Sequence, residues 1–405
     1  MRVLVLNAGS SSLKAGCFDA AGHSRIAGTK VALQPAGKQI AAACTAALHA
    51  AFADLERQAP GVLQGLDAIG HRIVHGGLAL RRTTVIDAGV EARIEGCVPL
   101  APLHNAVGLA MLRAARASWP ALPHLAVFDT AFHAQLPPAA WHYALPESLT
   151  APLQARRFGF HGINHAQVLR HCAAVLGVEP VALRLVSCHL GAGASVAAIV
   201  GGHSVDTSMG YTPLEGLVMG TRAGDLDPGL VLRLAREAVR GAAREHGMYG
   251  DAAGAIDSLE EQLQRRSGLR ALGGTEDVAA LESRAAQGDE AATLALDVYV
   301  HRLRRYIGAM CASTGGADAI AFSGGVGEHS AVVRSRACGA LGWLGAQLDA
   351  GANAAARPSE GAPVARISTP TSAVSLLVVA ADEERAIAEE VESCLSGRSV
   401  DESAS

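Results

Sequence analysis

Residues 7–14, Asn-Ala-Gly-Ser-Ser-Ser-Leu-Lys, follow a short apolar run of Val3, Leu4, Val5 and Leu6. Small residues let backbone N–H groups approach an anion, hydroxyls add donors, and Lys14 supplies a compact positive charge. The tract therefore has the makeup of a phosphate cradle. An ordinary Ser/Gly turn would read the same way. It is not a Walker loop, because G-x-x-x-x-G-K-[ST] is missing and no helix pattern follows at once. The design recurs at 183–200, where Gly191, Ala192 and Gly193 form a small-residue tip between two apolar runs, and at Ser323, Gly324, Gly325, Val326, Gly327 and Glu328. Gly191 and Gly193 lack the third glycine of the dinucleotide fingerprint, so a Rossmann reading is disfavoured. Three such tips suggest a duplicated nucleotide-binding architecture.

Charged side chains cluster in the turns. Arg72 lies between His71 and His75 and before a glycine pair, where a guanidinium could clamp a carboxylate or phosphate bidentately or make a surface salt bridge. Asp129 directly follows the apolar Val127 and Phe128, a place for a catalytic or metal-orienting carboxylate and equally for an Asx turn. His161 sits beside Gly159 and Gly162. Arg222, on a Gly-flanked loop before Asp225 and Asp227, could neutralise charge on a transferring phosphoryl group.

These groups need a scaffold. At 405 residues the chain exceeds what one core usually supports, so two domains are expected. Runs rich in Ala, Leu, Arg and Glu alternate with short β-branched runs, which indicates an α/β architecture. Helices are predicted over 39–58, 105–117, 165–176, 229–246, 277–312 with a break near Gly288, and 381–395. The proline-bearing stretch 136–158 reads as a lobe boundary, and 351–365 as a surface excursion. A net charge of −4 gives no electrostatic footprint for nucleic acid. No apolar run is long enough for a bilayer, and the first residues do not resemble a signal peptide, so a cytoplasmic location is expected. Eight scattered cysteines without a C-x-x-C pair fit reduced, buried thiols.

NAGSSSLK, GHRIVHGG, APLHN, VFDTAFH, FGFHG, CHLGAGAS, SMGYTPLEGLVMGTR, DLDPG and SGGVGE occur in the order and at the spacing of the acetate kinases. The chain resembles that family over nearly its whole length. The resemblance implies two duplicated actin/Hsp70-like, ribonuclease H-like α/β lobes around a central cleft. It implies an N-terminal lobe over 1–135, a C-terminal lobe over 136–383, and a last helix near 384–398 packed back on the first. It also implies Mg2+-dependent, reversible transfer of the ATP γ-phosphoryl group to acetate, giving acetyl phosphate and ADP, with Mn2+ as an alternative ion and a homodimeric assembly.

Roles carry over by the same resemblance. Asn7 and Glu383 match the metal side, and Ser10, Ser12 and Lys14 the phosphate loop. Arg72 matches the arginine that binds the acyl carboxylate, while Asp129, His161 and Arg222 match the catalytic set. Val74, Leu103, Phe160 and Pro213 match the acyl methyl pocket. His189, Leu190, Gly191, Ala192, Gly193, Asp277, Gly324, Gly325, Val326, Gly327 and Glu328 match nucleotide contacts. Ala192, Ala279, His329 and Ala380-Ala381-Asp382 depart from the usual residues, all on the nucleotide side. A propionate or butyrate kinase, another phosphoryl donor, and a non-catalytic nucleotide sensor are the rival readings.

Overall fold

The computed structural model describes residues 1–9, 11–19, 24–33, 39–246 and 251–397; of Leu103, Glu245 and His246 it describes the backbone alone. The expected contacts of Ser10 and of the Leu103 side chain therefore lie outside the described residues.

The chain divides into two compact units. The first comprises 1–135, 145–167 and 382–405, the second 136–144 and 168–381. Residues 145–167 and Glu383 thus group with the first unit, whereas the resemblance implied a second lobe over 136–383 with a last helix near 384–398 returning to the first.

In the first unit β1 (Arg2–Ala8), β2 (Ser12–Asp19), β3 (Ser24–Ala32), β4 (Ala68–Ile73), β5 (Thr84–Val85) and β6 (His124–Phe128) form one sheet, ordered β3-β2-β1-β4-β6-β5. Strands β1, β4 and β6 run parallel; β2, β3 and β5 are antiparallel to their neighbours. β1 is an unbroken apolar run because both of its faces are covered. Leu4 and Leu6 pack with Leu48 and Leu55 of the helix Ile40–Gln58 and Met111 of the helix Pro102–Ser118. Val3 and Val5 turn the other way, into a cluster with Ile387 and Val391 of the helix Glu383–Leu395. That helix starts at the cap Asp382, whose carboxylate accepts from Arg385 N at 3.1 Å, and carries Glu383 and Glu384 in its first turn, where the helix dipole favours anions. Gly70 is required beneath it, since a Cβ there would lie 2.9 Å from both Ile387 and Val391.

In the second unit β7 (Leu185–Leu190), β8 (Ala194–Val200), β9 (His203–Thr207), β10 (Ala319–Ser323), β11 (Val364–Arg366) and β12 (Ser375–Val379) are ordered β11-β12-β10-β7-β8-β9. This is the first sheet again, strand for strand and sense for sense. Even the bulge recurs, between Cys17 and Phe18 in one and between Ala198 and Ile199 in the other. The expected duplication of an α/β lobe is present.

The predicted helices occur as Ile40–Gln58, Pro102–Ser118, Gly162–Leu176, Pro228–His246, Val278–Ala286, Glu290–Ser313 and Glu383–Leu395. Gly288, at φ 88°, separates Val278–Ala286 from Glu290–Ser313. The surface reading of 351–365 holds for most of its residues; the helix Ala350–Ala355 lies at its start, and Asn353 and Ala356 turn inward.

Candidate active site

The site residues of the first unit stand at the carboxyl ends of its parallel strands, the usual ligand side of such a sheet. Asn7 is near the end of β1, Arg72 near the end of β4, and Asp129 immediately after β6. Arg72 grips Asp129 as a fork, Nε to Oδ1 at 3.1 Å and Nη2 to Oδ2 at 2.5 Å, while its Nη1 donates to Asn7 Oδ1 at 3.2 Å. Asn7 Nδ2 in turn donates to Glu383 Oε2 at 3.1 Å and Glu384 Oε1 at 2.7 Å. Lys14 Nζ lies 3.7 Å from Glu384 Oε1, and Arg25 Nη2 lies 2.6 Å from Asp382 Oδ1 and 3.5 Å from Glu384 Oε2. Glu384 and Arg25 were missed by the sequence reading, although the Glu-Glu doublet opening a helix was a visible signal.

This network sets the protonation states. Burial works against charge on Arg72, yet Asp129 and then Glu383 outweigh it and hold the guanidinium above its ordinary value. Burial pushes the Asp129 carboxyl up, Arg72 pulls it back, and Glu383 adds a further push, leaving it above the usual carboxylate range. Asp129 is 1% exposed and Arg72 remains fully charged, so the ion pair holds in water-poor surroundings.

Three turns are tied together at Asp129. Its carbonyl accepts from Gly162 N at 2.8 Å, and a Cβ on Gly162 would lie 2.3 Å from that oxygen. His161, just before, has φ 58°, a left-handed conformation unusual for a histidine and of a kind that collects at functional sites. Thr130 Oγ1 accepts from Gly76 N at 3.1 Å, and His133 Nε2 lies 3.1 Å from Phe160 O. Val74 and Phe160 are buried. His75 packs edge-on against Phe158 and Phe160, with centroids 4.4 and 5.6 Å away. The carboxamide of Asn105 bonds both the N–H and the carbonyl of His75 at 2.9 Å, fixing the chain as it leaves β4, a third residue beyond the sequence reading.

The second unit supplies backbone where the first supplies side-chain charge. β7 and β8 form a hairpin whose tip closes through Gly191 N to Gly193 O at 2.9 Å. Gly324 follows β10 at φ 76° and passes so near Leu190 that a Cβ would lie 2.9 Å from its carbonyl oxygen. Arg222 stands on a turn closed by Met219 N to Arg222 O at 3.1 Å, and Gly220 N reaches Ala192 O at 3.4 Å. Arg222 Nη1 is 3.4 Å from Pro213 O, and burial draws the guanidinium below its ordinary value without approaching neutrality. Asp225 clips this loop by accepting from Gly216 N and Tyr306 Oη, each at 2.8 Å. Glu328 Oε1 accepts from Ala381 N at 3.1 Å. The Asp277 carboxylate caps the helix Val278–Ala286 through Ala279 N at 2.9 Å.

Among the described residues no group of three or more His, Cys, Asp or Glu side chains is gathered in metal-ligating geometry. Carboxylate oxygens of Glu383 and Glu384 meet at Asn7 Nδ2, while Asn7 Oδ1 accepts from Arg72; the two carboxylates are hard ligands of the kind that suit an ion of the magnesium type, which takes few protein ligands and completes its shell with water and phosphate.

The model of the acetokinase family matches residues 2–389. The chain belongs to the acetokinase family. Among its relatives, an acetate kinase of Leifsonia xyli subsp. xyli is 44% identical over 95% of this chain and 97% of its own length. An acetate kinase of Streptomyces coelicolor is likewise 44% identical, over 96% and 95%. Among solved structures, Porphyromonas gingivalis acetate kinase superposes with a TM-score of 0.82 at 34% identity, covering 97% of this chain and 99% of that one. A propionate kinase of Francisella tularensis superposes equally well, TM-score 0.82 at 30% identity, covering 96% and 98%. The family match at 2–389 takes in residues of both units.

Proposed function

We propose that the protein is an acetate kinase, transferring the γ-phosphoryl group of ATP to acetate and giving acetyl phosphate and ADP. The observation that carries this reading is the half-buried Arg72 fork on the buried Asp129, beside Asn7 and Glu383, in a chain 44% identical to acetate kinases over almost its full length. Acetate is already an anion, so a carboxylate oxygen can attack phosphorus in line without a general base. Catalysis then consists of bringing two negative reactants together and neutralising charge on the equatorial oxygens. Arg72 orients the acetate carboxylate, Val74, Leu103, Phe160 and Pro213 enclose its methyl group, and His161 and Arg222 stabilise the transferring phosphoryl group. Asp129 positions Arg72 and the reactants.

Ser10, Ser12 and Lys14 contact the phosphates; His189, Leu190, Gly191, Ala192 and Gly193, with Asp277 and Gly324, Gly325, Val326, Gly327 and Glu328, contact ATP. Asn7 and Glu383 would hold Mg2+, or Mn2+ in its place, which supplies Lewis-acid neutralisation of phosphate charge when bound.

No helix among the described residues is long and apolar enough to cross a membrane, and the described cysteines are unpaired thiols, in keeping with a cytoplasmic enzyme. The helix Pro228–His246 exposes Leu230, Leu232 and Leu234, an apolar surface in keeping with a homodimer. The test is hydroxamate trapping of acyl phosphate formed from acetate, propionate or butyrate with Mg-ATP. Acetate should give the highest kcat/KM; a strong preference for a longer acid would make this an acyl kinase of the propionate type, and nucleotide binding without turnover would make it a sensor.

A further inference from the structure

Among the described residues the largest fully buried side chain is Arg334, a guanidinium with no carboxylate hydrogen-bond partner there. Its donors go to neutral oxygens instead. Nη1 donates to the carbonyls of Gly327 at 2.9 Å and Glu328 at 2.8 Å, Nε to Asn353 Oδ1 at 2.8 Å, and Nη2 to Asn353 O at 2.7 Å. Burying a charge in this way is costly, and burial indeed draws the group below its ordinary value. A well-packed apolar side chain would stabilise as much or more, so the arrangement needs another reason.

The reason lies in what the guanidinium holds. Helix Gly324–His329 has six residues and cannot satisfy its own C-terminal carbonyls. Arg334 receives two of them, and Asn353, 3% exposed in the helix Ala350–Ala355 and itself donating to Ala331 O at 2.9 Å, fixes Arg334. On its other side the same short helix abuts Leu190, where only glycine fits at position 324. The Gly-rich tip is thus held between the end of β7 and an Arg334–Asn353 strut.

We propose that Arg334 is a positioning residue for nucleotide, acting through the backbone of the Gly324–His329 turn and touching no substrate. This rests on the nucleotide role assigned to that turn above. The experiment measures Mg-ADP binding by calorimetry and the KM values for ATP and acetate in wild type, Arg334→Lys, Arg334→Met and Asn353→Ala, each checked for native circular dichroism. Arg334→Met should weaken Mg-ADP binding and raise the ATP KM about tenfold or more while leaving the acetate KM unchanged, with partial recovery in Arg334→Lys. Asn353→Ala should shift the same constants in the same direction by a smaller factor, and it serves if Arg334→Met does not fold. A folded Asn353→Ala with unaltered nucleotide affinity, or any folded variant in which the KM values for ATP and acetate rise together, would overturn the proposal. Wild type that binds Mg-ADP without phosphorylating acetate would instead refute the acetate kinase reading and leave the binding comparison to decide the role of Arg334.

Discussion

The two sheets share one topology yet treat their strand ends in opposite ways. After β1, β4 and β6 the first unit places Asn7, Arg72 and Asp129, linked to Glu383 and Glu384 by hydrogen bonds of 2.5–3.2 Å. After β7, β10 and β12 the second unit places Leu190, Gly324 and Ala380, so small residues and backbone stand where charge stood. Side-chain charge suits a small carboxylate that must be gripped at one point, whereas exposed N–H groups suit a polyphosphate that lies along a chain. Duplication supplied the frame, and the turn residues divided the labour.

The comparison breaks most visibly at Arg222, the strong side-chain charge of the second unit. Arg222→Ala should lower kcat by about 10³–10⁵ with little change in ATP KM, as measured by hydroxamate trapping. Next comes Asp129→Asn, which leaves Arg72 charged and without its carboxylate. It should cost about 3–5 kcal/mol in urea unfolding, a loss confined to the first unit.

Acid should separate the units further. Among the described residues five buried histidines, His71, His75, His124, His133 and His165, lie in the first unit, against His189 in the second. Burial pushes His75 down to about 4 and His133 down to about 4, the latter against a hydrogen bond to Phe160 that favours its charge. The unfolded chain binds protons that these two refuse, so stability is complete above about pH 6.5 and falls as pH drops toward 4, by about 3 kcal/mol per histidine. Asp129 runs the other way: its raised carboxyl stabilises below the ordinary carboxylate range and loses that contribution as pH rises. Hydrogen exchange at pH 5 should therefore show protection lost first from β4 and β6. The smallest effect is expected for Gly70→Ala, about 1–3 kcal/mol by thermal unfolding, because a Cβ at 2.9 Å forces Ile387 and Val391 apart.

Much of this was legible in the sequence because chemistry gathers where apolar runs end. The tips at 7–14, 189–193 and 323–328, and the charges Arg72 and Asp129, announce themselves by following β-branched segments. Glu384 did not, since its bond to Asn7 spans 377 residues and local pattern carries no trace of such a pairing. Asn105 was quoted within a motif, but its role as a clamp on the backbone of His75 requires the fold. The stretch 351–365 reads as surface and is mostly so, but nothing in its local pattern singles out Asn353, which turns inward to bond Arg334.

The division of labour is tested most directly by Arg72→Ala, assayed for acetate and ATP KM together. The account predicts a steep rise in acetate KM and a fall in kcat with ATP KM little changed, because Arg72 grips the acyl carboxylate and reaches the metal side only through Asn7 and Glu383. An equal rise in both KM values, or an acetate KM left at the wild-type level, would contradict it.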